Sequence, residues 1–253
     1  MSVSAFAALA TAVVAGWLAL YRLPFNDPAR RRRTALWLAD RTGLRPEAAF
    51  AVFGTAVYLV LGALALAVLL TATPLTLHQL FGVPAPGMLL ALLLAVFGTS
   101  SANILCVSLL YRADPRVDVP GEIARIRWIA SILALPRHYR WVVPAAAALF
   151  EEVLFRGAVL MGLAALGSGP LLALAVSTCL FAAGQVALVS TRVQAYVLGT
   201  SSLTLGVVGG LLTVATGGVL PALVLHMSFA GFYTNLSAAS APGARTTPGR
   251  LSL

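Results

Sequence analysis

Two adjacent carboxylates, Glu151 and Glu152, and the guanidinium of Arg156 stand inside a stretch that is otherwise apolar from about Trp141 to Leu166. A stretch of this length is a transmembrane candidate, because about 20 residues at roughly 1.5 Å rise cross the roughly 30 Å hydrocarbon core. An ionised side chain at such a depth costs at least about 2.5–3.5 kcal/mol on insertion scales, so it faces a protein interior or a wet cavity and marks function. Glu152 and Arg156 are four apart, on one helix face, in the order that favours an ion pair. Glu151 points about 100° away around the helix and is left over from that pair, able to face a different cavity.

A second polar group falls in hydrocarbon at His226, within Leu225-His226-Met227-Ser228-Phe229-Ala230. Counted from the assumed cytoplasmic ends of their spans, Glu151 lies roughly 15 Å deep, His226 roughly 16 Å and Gln185 roughly 8 Å. All three are therefore able to line one cavity open to that side. A carboxylate, an imidazole and an amide supply the parts for water activation: a general base, an electrophile or metal ligand, and an oxyanion donor. A buried hydrogen-bond network that only fixes helix register uses the same parts. His78 and His138 lie in connecting segments and read as interfacial residues.

The elements that must position these groups are all helices. The chain has 253 residues, 60% of them hydrophobic and 10% charged, and a mean hydropathy of +0.93, the make-up of a polytopic helical membrane bundle. Seven spans are expected, at about Val3–Tyr21, Ala48–Thr71, Gly87–Tyr111, Trp141–Leu166, Pro170–Ser190, Val197–Thr216 and Gly218–Leu236. The first lacks a basic segment ahead of it and reads as a span, not a cleaved signal. Residues 1–140 thus carry three spans with basic cytoplasmic loops, 141–237 a core of four, and 238–253 a polar, disordered cytoplasmic tail.

The net charge of +9 is no sign of nucleic acid. Lysine is absent, and 16 of the 17 arginines lie between or after the apolar runs, in the first, third and fifth loops and the tail. This places the N-terminus outside and the C-terminus inside, with anionic lipid as partner of the arginine-rich loops. Arginine without lysine fits a GC-rich bacterial genome, and so the bacterial inner membrane. Ile123, Ile126, Ile129, Ile132 and Leu133 recur with a helical period in the third loop and predict an amphipathic helix lying on the membrane surface. Glycines at 199, 206, 209 and 210 make the sixth span a close-packing helix near the bundle centre. Cys106 and Cys179 read as small buried hydrophobes.

Glu151-Glu152 with Arg156, preceded by Phe150 and continued by Phe155-Arg156-Gly157, resembles the EExxxR motif of the CAAX-processing and bacteriocin-processing (CPBP, or Abi) intramembrane proteases. Phe181-Ala182-Ala183-Gly184-Gln185 resembles the family's FxxxH motif with glutamine in place of histidine. His226-Met227-Ser228-Phe229-Ala230 resembles its HxxxN motif with alanine in place of asparagine. Asn235, nine residues past His226, is off that helix face.

The resemblance implies that Glu151 activates water, that Glu152 and Arg156 support it, that His226 is the remaining imidazole and that Gln185 is a substitute donor. It allows a zinc ion as cofactor, although glutamine is a poor zinc ligand. The function it implies is an endopeptidase cutting a membrane-associated protein or peptide near its cytoplasmic end. The alternative is a catalytically silent relative that binds a peptide or lipidated tail as a chaperone, immunity or sorting factor.

Overall fold

The computed structural model describes residues 1–22, 27–82, 87–136 and 139–240, of which 231–240 by backbone alone. His138, Arg137, the tail arginines Arg245 and Arg250, the side chain of Asn235 and the tail beyond 240 lie outside the described residues.

The chain opens with α1 (Val3–Arg22) and α2 (Pro28–Thr42). The second of these is not foreseen by apolar periodicity, because its arginine run has no buried stripe. It is specified by its ends instead: Asp27 accepts from Ala29 N, Pro28 occupies the first turn, and Gly43 closes the last at φ 69°. Next come α3 (Pro46–Thr71), a 3-10 turn at Leu77–Leu80, α4 (Met88–Ala113), α5 (Val119–Ala124) and α6 (Arg127–Leu133). After α7 (Val142–Glu152) the helix continues as a π-helical segment, Val153–Met161, into α8 (Gly162–Ala165). The bundle is completed by α9 (Pro170–Ala187), α10 (Arg192–Thr216) and α11 (Leu220–Ser240).

Among the described residues five helices, α1, α3, α4, α9 and α10, are long and apolar enough to cross a membrane, as in an integral membrane protein. The fourth expected span corresponds to α7, the π-helical segment and α8 in sequence, and the seventh to α11. Backbone helix reaches Ser240, into the stretch expected as tail. Among the described residues no strand forms.

Burial ranks the helices as their small residues foretell. In α10, 56% of the apolar window is buried, against 17% in α4, whose Leu90, Leu94, Phe97 and Ile104 face outward. Gly206 packs on Thr178 and Gly210 on Leu174, where an added Cβ would stand 2.6 and 2.3 Å from the neighbouring side chain. Cys106 is half-buried and Cys179 exposed on α9, so neither is the fully buried hydrophobe expected.

The third loop also differs from expectation. Its isoleucines do not lie on a membrane surface: Ile123, Ile126 and Ile129 are buried against Val197 and Leu198 of α10, so the stripe is satisfied by protein instead of lipid. The helix breaks at Arg125–Ile126, and Asp118 caps its first half through Gly121 N.

Loops of like parity meet. Arg45 of the first loop donates to Ala134 O at 3.1 Å, and Arg22 donates to Ala187 O at 2.5 Å, which joins the basic loops at one end. At the other end Val219 N donates to Leu80 O at 2.9 Å, and an isolated bridge pairs Phe81 with Gly218. A Cβ on Gly218 would stand 2.6 Å from Gly82 N, and that neighbour is backbone. Gly218→Val should therefore lower stability by on the order of 1–3 kcal/mol, seen as a lower melting temperature in detergent, whereas Gly16→Val, in open space, should not.

Candidate active site

The site forms where α7, α9 and α11 converge beside α3. Glu152 and Arg156 are wholly buried, and their side chains approach to 3.2 Å as the (i, i+4) spacing requires. A lone buried pair is poorly compensated, so further partners matter. Arg156 Nη2 donates to Leu205 O at 3.1 Å, and its guanidinium lies over the Phe181 ring, 4.4 Å from the centroid. His226 Nδ1 is 2.8 Å from Glu152 Oε1. A carboxylate ionised beside arginine only accepts, so Nδ1 carries the proton.

The π-helical segment begins directly after Glu152. Such i→i+5 stretches are rare and recur at functional sites. Here the carbonyl of Phe155 accepts from Ser177 Oγ of α9 at 2.7 Å, which anchors the segment beside Phe181.

Glu151 has a different environment. Tyr58 Oη donates to its Oε1 at 2.6 Å, and Gln185 Nε2 donates to its Oε2 at 3.2 Å. His226 Nε2 stands 3.8 Å from the same Oε2, beyond hydrogen-bond reach. A cavity of about 140 Å³ opens onto Glu151, Gln185, His226, Tyr58 and Ala230, and neither Glu152 nor Arg156 lines it. The sequence-based separation of Glu151 from the Glu152–Arg156 pair thus appears as two faces of one helix. All five residues singled out, Glu151, Glu152, Arg156, Gln185 and His226, are brought together.

Tyr58 is the residue that motif reasoning missed. It is buried on α3, outside the matched motifs, and is clamped by Trp17, whose indole donates to the Tyr58 carbonyl at 3.2 Å, and by Tyr21, 5.2 Å away ring to ring. A phenol in mid-span needs a partner for its hydroxyl, and that need was a usable signal.

Residues 136–232 match the family model described as Rce1-like, type II CAAX prenyl endopeptidase. That stretch runs from just before α7 into α11 and holds all five site residues, Glu151, Glu152, Arg156, Gln185 and His226. No curated protein matches the chain, and no solved structure does.

The donor set does not fit the zinc ion that the resemblance allows. Among the described residues no three of His, Cys, Asp and Glu are grouped to hold a metal. Glu152 is committed to Arg156 and to His226 Nδ1, Gln185 offers an amide, and only Glu151 and His226 Nε2 remain.

Removing one member of the buried pair leaves the other uncompensated. Arg156→Ala should cost about 3–5 kcal/mol of stability, and the double variant Arg156→Met, Glu152→Leu should recover part of that loss, both read from unfolding in detergent. A double variant no more stable than Arg156→Ala would show that the pair is not the source of the cost.

Proposed function

We propose that this protein is an intramembrane endopeptidase and that Glu151 is its general base. The observation that carries the proposal is a carboxylate held by two neutral donors at the wall of a cavity, with an imidazole 3.8 Å away. The matched family description supports a protein or peptide substrate.

In this reading Glu151 takes one proton from a water in the cavity while the water oxygen bonds to the scissile carbonyl carbon. The carbonyl oxygen becomes an oxyanion. Gln185 uses one amide hydrogen to hold Glu151 and has a second to offer that oxyanion. His226 Nε2 stands on the same side of the cavity, 3.8 Å from Oε2 of Glu151, and donates to the oxyanion when it carries a proton. When the intermediate collapses, the C–N bond breaks and Glu151 returns its proton to the leaving nitrogen. Tyr58 acts as a positioning residue: it fixes Oε1 so that Oε2 faces the cavity.

The same reading places the arginine-bearing end of the bundle in the cytoplasm, with the N-terminus outside and the scissile bond reached from the cytoplasmic side. It also assigns seven crossings, α7 to α8 and α11 being the fourth and seventh.

One observation favours the silent alternative: Gln185 and Ala230 stand where the family motifs carry histidine and asparagine. A survey of protein termini in host membranes, comparing wild type with Glu151→Gln at equal expression, separates the two. A terminus present only in the wild type, with cleavage down roughly 10²–10⁴-fold in the variant, is expected. No changed terminus, with a partner still co-purifying with both forms, would establish the binding role instead. Tyr58→Phe should keep the fold and lower turnover by about tenfold, the worth of one charge-assisted hydrogen bond.

A further inference from the structure

A chamber of about 70 Å³ adjoins the Glu151 cavity and shares Gln185, His226 and Ala230 with it. Phe181 of α9 and Leu198 and Leu205 of α10 give it apolar walls, and Ser202 of α10 borders it as well. The neighbouring hydroxyls of α10 are committed elsewhere. Thr200, Thr204, Thr213 and Thr216 each donate to the carbonyl four residues back, and Ser201 Oγ donates to Asn103 Oδ1 at 2.5 Å. Ser202 departs from that pattern: it is only 6% exposed, yet its hydroxyl has no hydrogen-bond partner among the described residues. A buried hydroxyl without a partner costs free energy, and the chamber is the space that this one faces.

Size and polarity together define what fits. At about 30 Å³ for each water in the liquid, the chamber takes two or three heavy atoms, enough for the side chain of serine, threonine or valine and too little for leucine or phenylalanine. A hydroxyl on that side chain pairs with Ser202, since each is able to donate or accept, whereas a methyl leaves Ser202 unpaired. Gln185 donates to Glu151 at 3.2 Å and His226 stands 3.8 Å from it, so the chamber lies one residue's reach from a bond presented to Glu151. We propose that this chamber is a specificity pocket for a serine or threonine side chain of the substrate beside the cut bond, and that Ser202 reads its hydroxyl. The proposal rests on the protease reading and adds the chemistry of one flanking residue: small, and hydroxylated.

The test uses the full chain in lipid nanodiscs and a set of prenylated peptides in which each position in turn carries Thr, Val or Leu, with the cut bond located by mass spectrometry. Turnover is measured with the wild type, and retention of the same peptides with Glu151→Gln. At one position beside the cut bond Thr should be preferred over its isostere Val by roughly three- to tenfold, the value of one neutral hydrogen bond, and both over Leu. Ser202→Ala should abolish the preference for Thr over Val and keep that of Val over Leu. Ser202→Val, which fills part of the chamber, should shift the choice to Ala. Thr204→Val, on the same helix but with its hydroxyl spent on the Thr200 carbonyl, should leave the preference for Thr intact.

Retention of Thr over Val peptides by Glu151→Gln, lost on adding Ser202→Ala, without any wild-type cleavage would sink hydrolysis and keep the pocket. Cleavage with no Thr preference at any position, or with one that survives Ser202→Ala, would sink the pocket and keep hydrolysis. A Ser202→Ala variant that slows every peptide alike would assign Ser202 to the fold or to the reacting centre and overturn the pocket too. Neither cleavage nor saturable retention of any peptide would overturn both.

Discussion

The buried Glu152–Arg156 pair is the constraint on which the rest of this structure depends. Two full charges lie where neither is reached by solvent, and their mutual attraction alone does not repay the loss of water. The remaining compensation comes from other helices: the Leu205 carbonyl on α10, the Phe181 face on α9, and His226 on α11. Each of these helices is thereby fixed in register to the π-helical segment. Gly209 of α10 also borders the guanidinium, where an added Cβ would stand in ordinary contact, 3.5 Å from Arg156 Nε.

Two adjacent glutamates acquire different tasks from their surroundings. Glu152 meets a permanent cation and a ring N–H, and it faces no cavity. Glu151 meets a phenol and an amide, both neutral donors, and faces open space. Neutral donors orient a carboxylate without adding an opposing charge, which suits the general-base role proposed for Glu151. His226 touches both environments, with Nδ1 at 2.8 Å from Glu152 and Nε2 at 3.8 Å from Glu151, so the structural pair sets the orientation of the ring that serves the cavity.

Much of the site was legible in the sequence because hydrocarbon makes polarity conspicuous. Glu151, Glu152, Arg156 and His226 stood out as costly groups in apolar runs, and the four-residue spacing foretold the pair. Gln185 was placed by motif spacing, although counting depth along each span set it several ångströms shallower than Glu151. The direct 3.2 Å contact shows that span ends are not level markers: α9 stops at Ala187, short of the expected Ser190, and helices tilt. Tyr58 was missed because it belongs to no motif and to a helix outside the matched stretch. The amphipathic period of the third loop was read correctly, but periodicity reports only that a face must be covered. Whether lipid or α10 covers it is decided by tertiary packing, which a single sequence does not reveal.

The two departures from the family motifs, Gln185 and Ala230, act at the same wall. Both line the main cavity and the smaller one that borders Ser201, Ser202 and Phe229. Replacing an imidazole by an amide removes a titratable group while keeping a donor, and replacing an amide by a methyl removes a donor while enlarging the space. In the proposed reaction, stabilisation of the oxyanion would fall to His226 and to one amide hydrogen of Gln185. Such a site loses electrophilic strength unless binding energy from elsewhere on the substrate is used to hold the scissile bond in place.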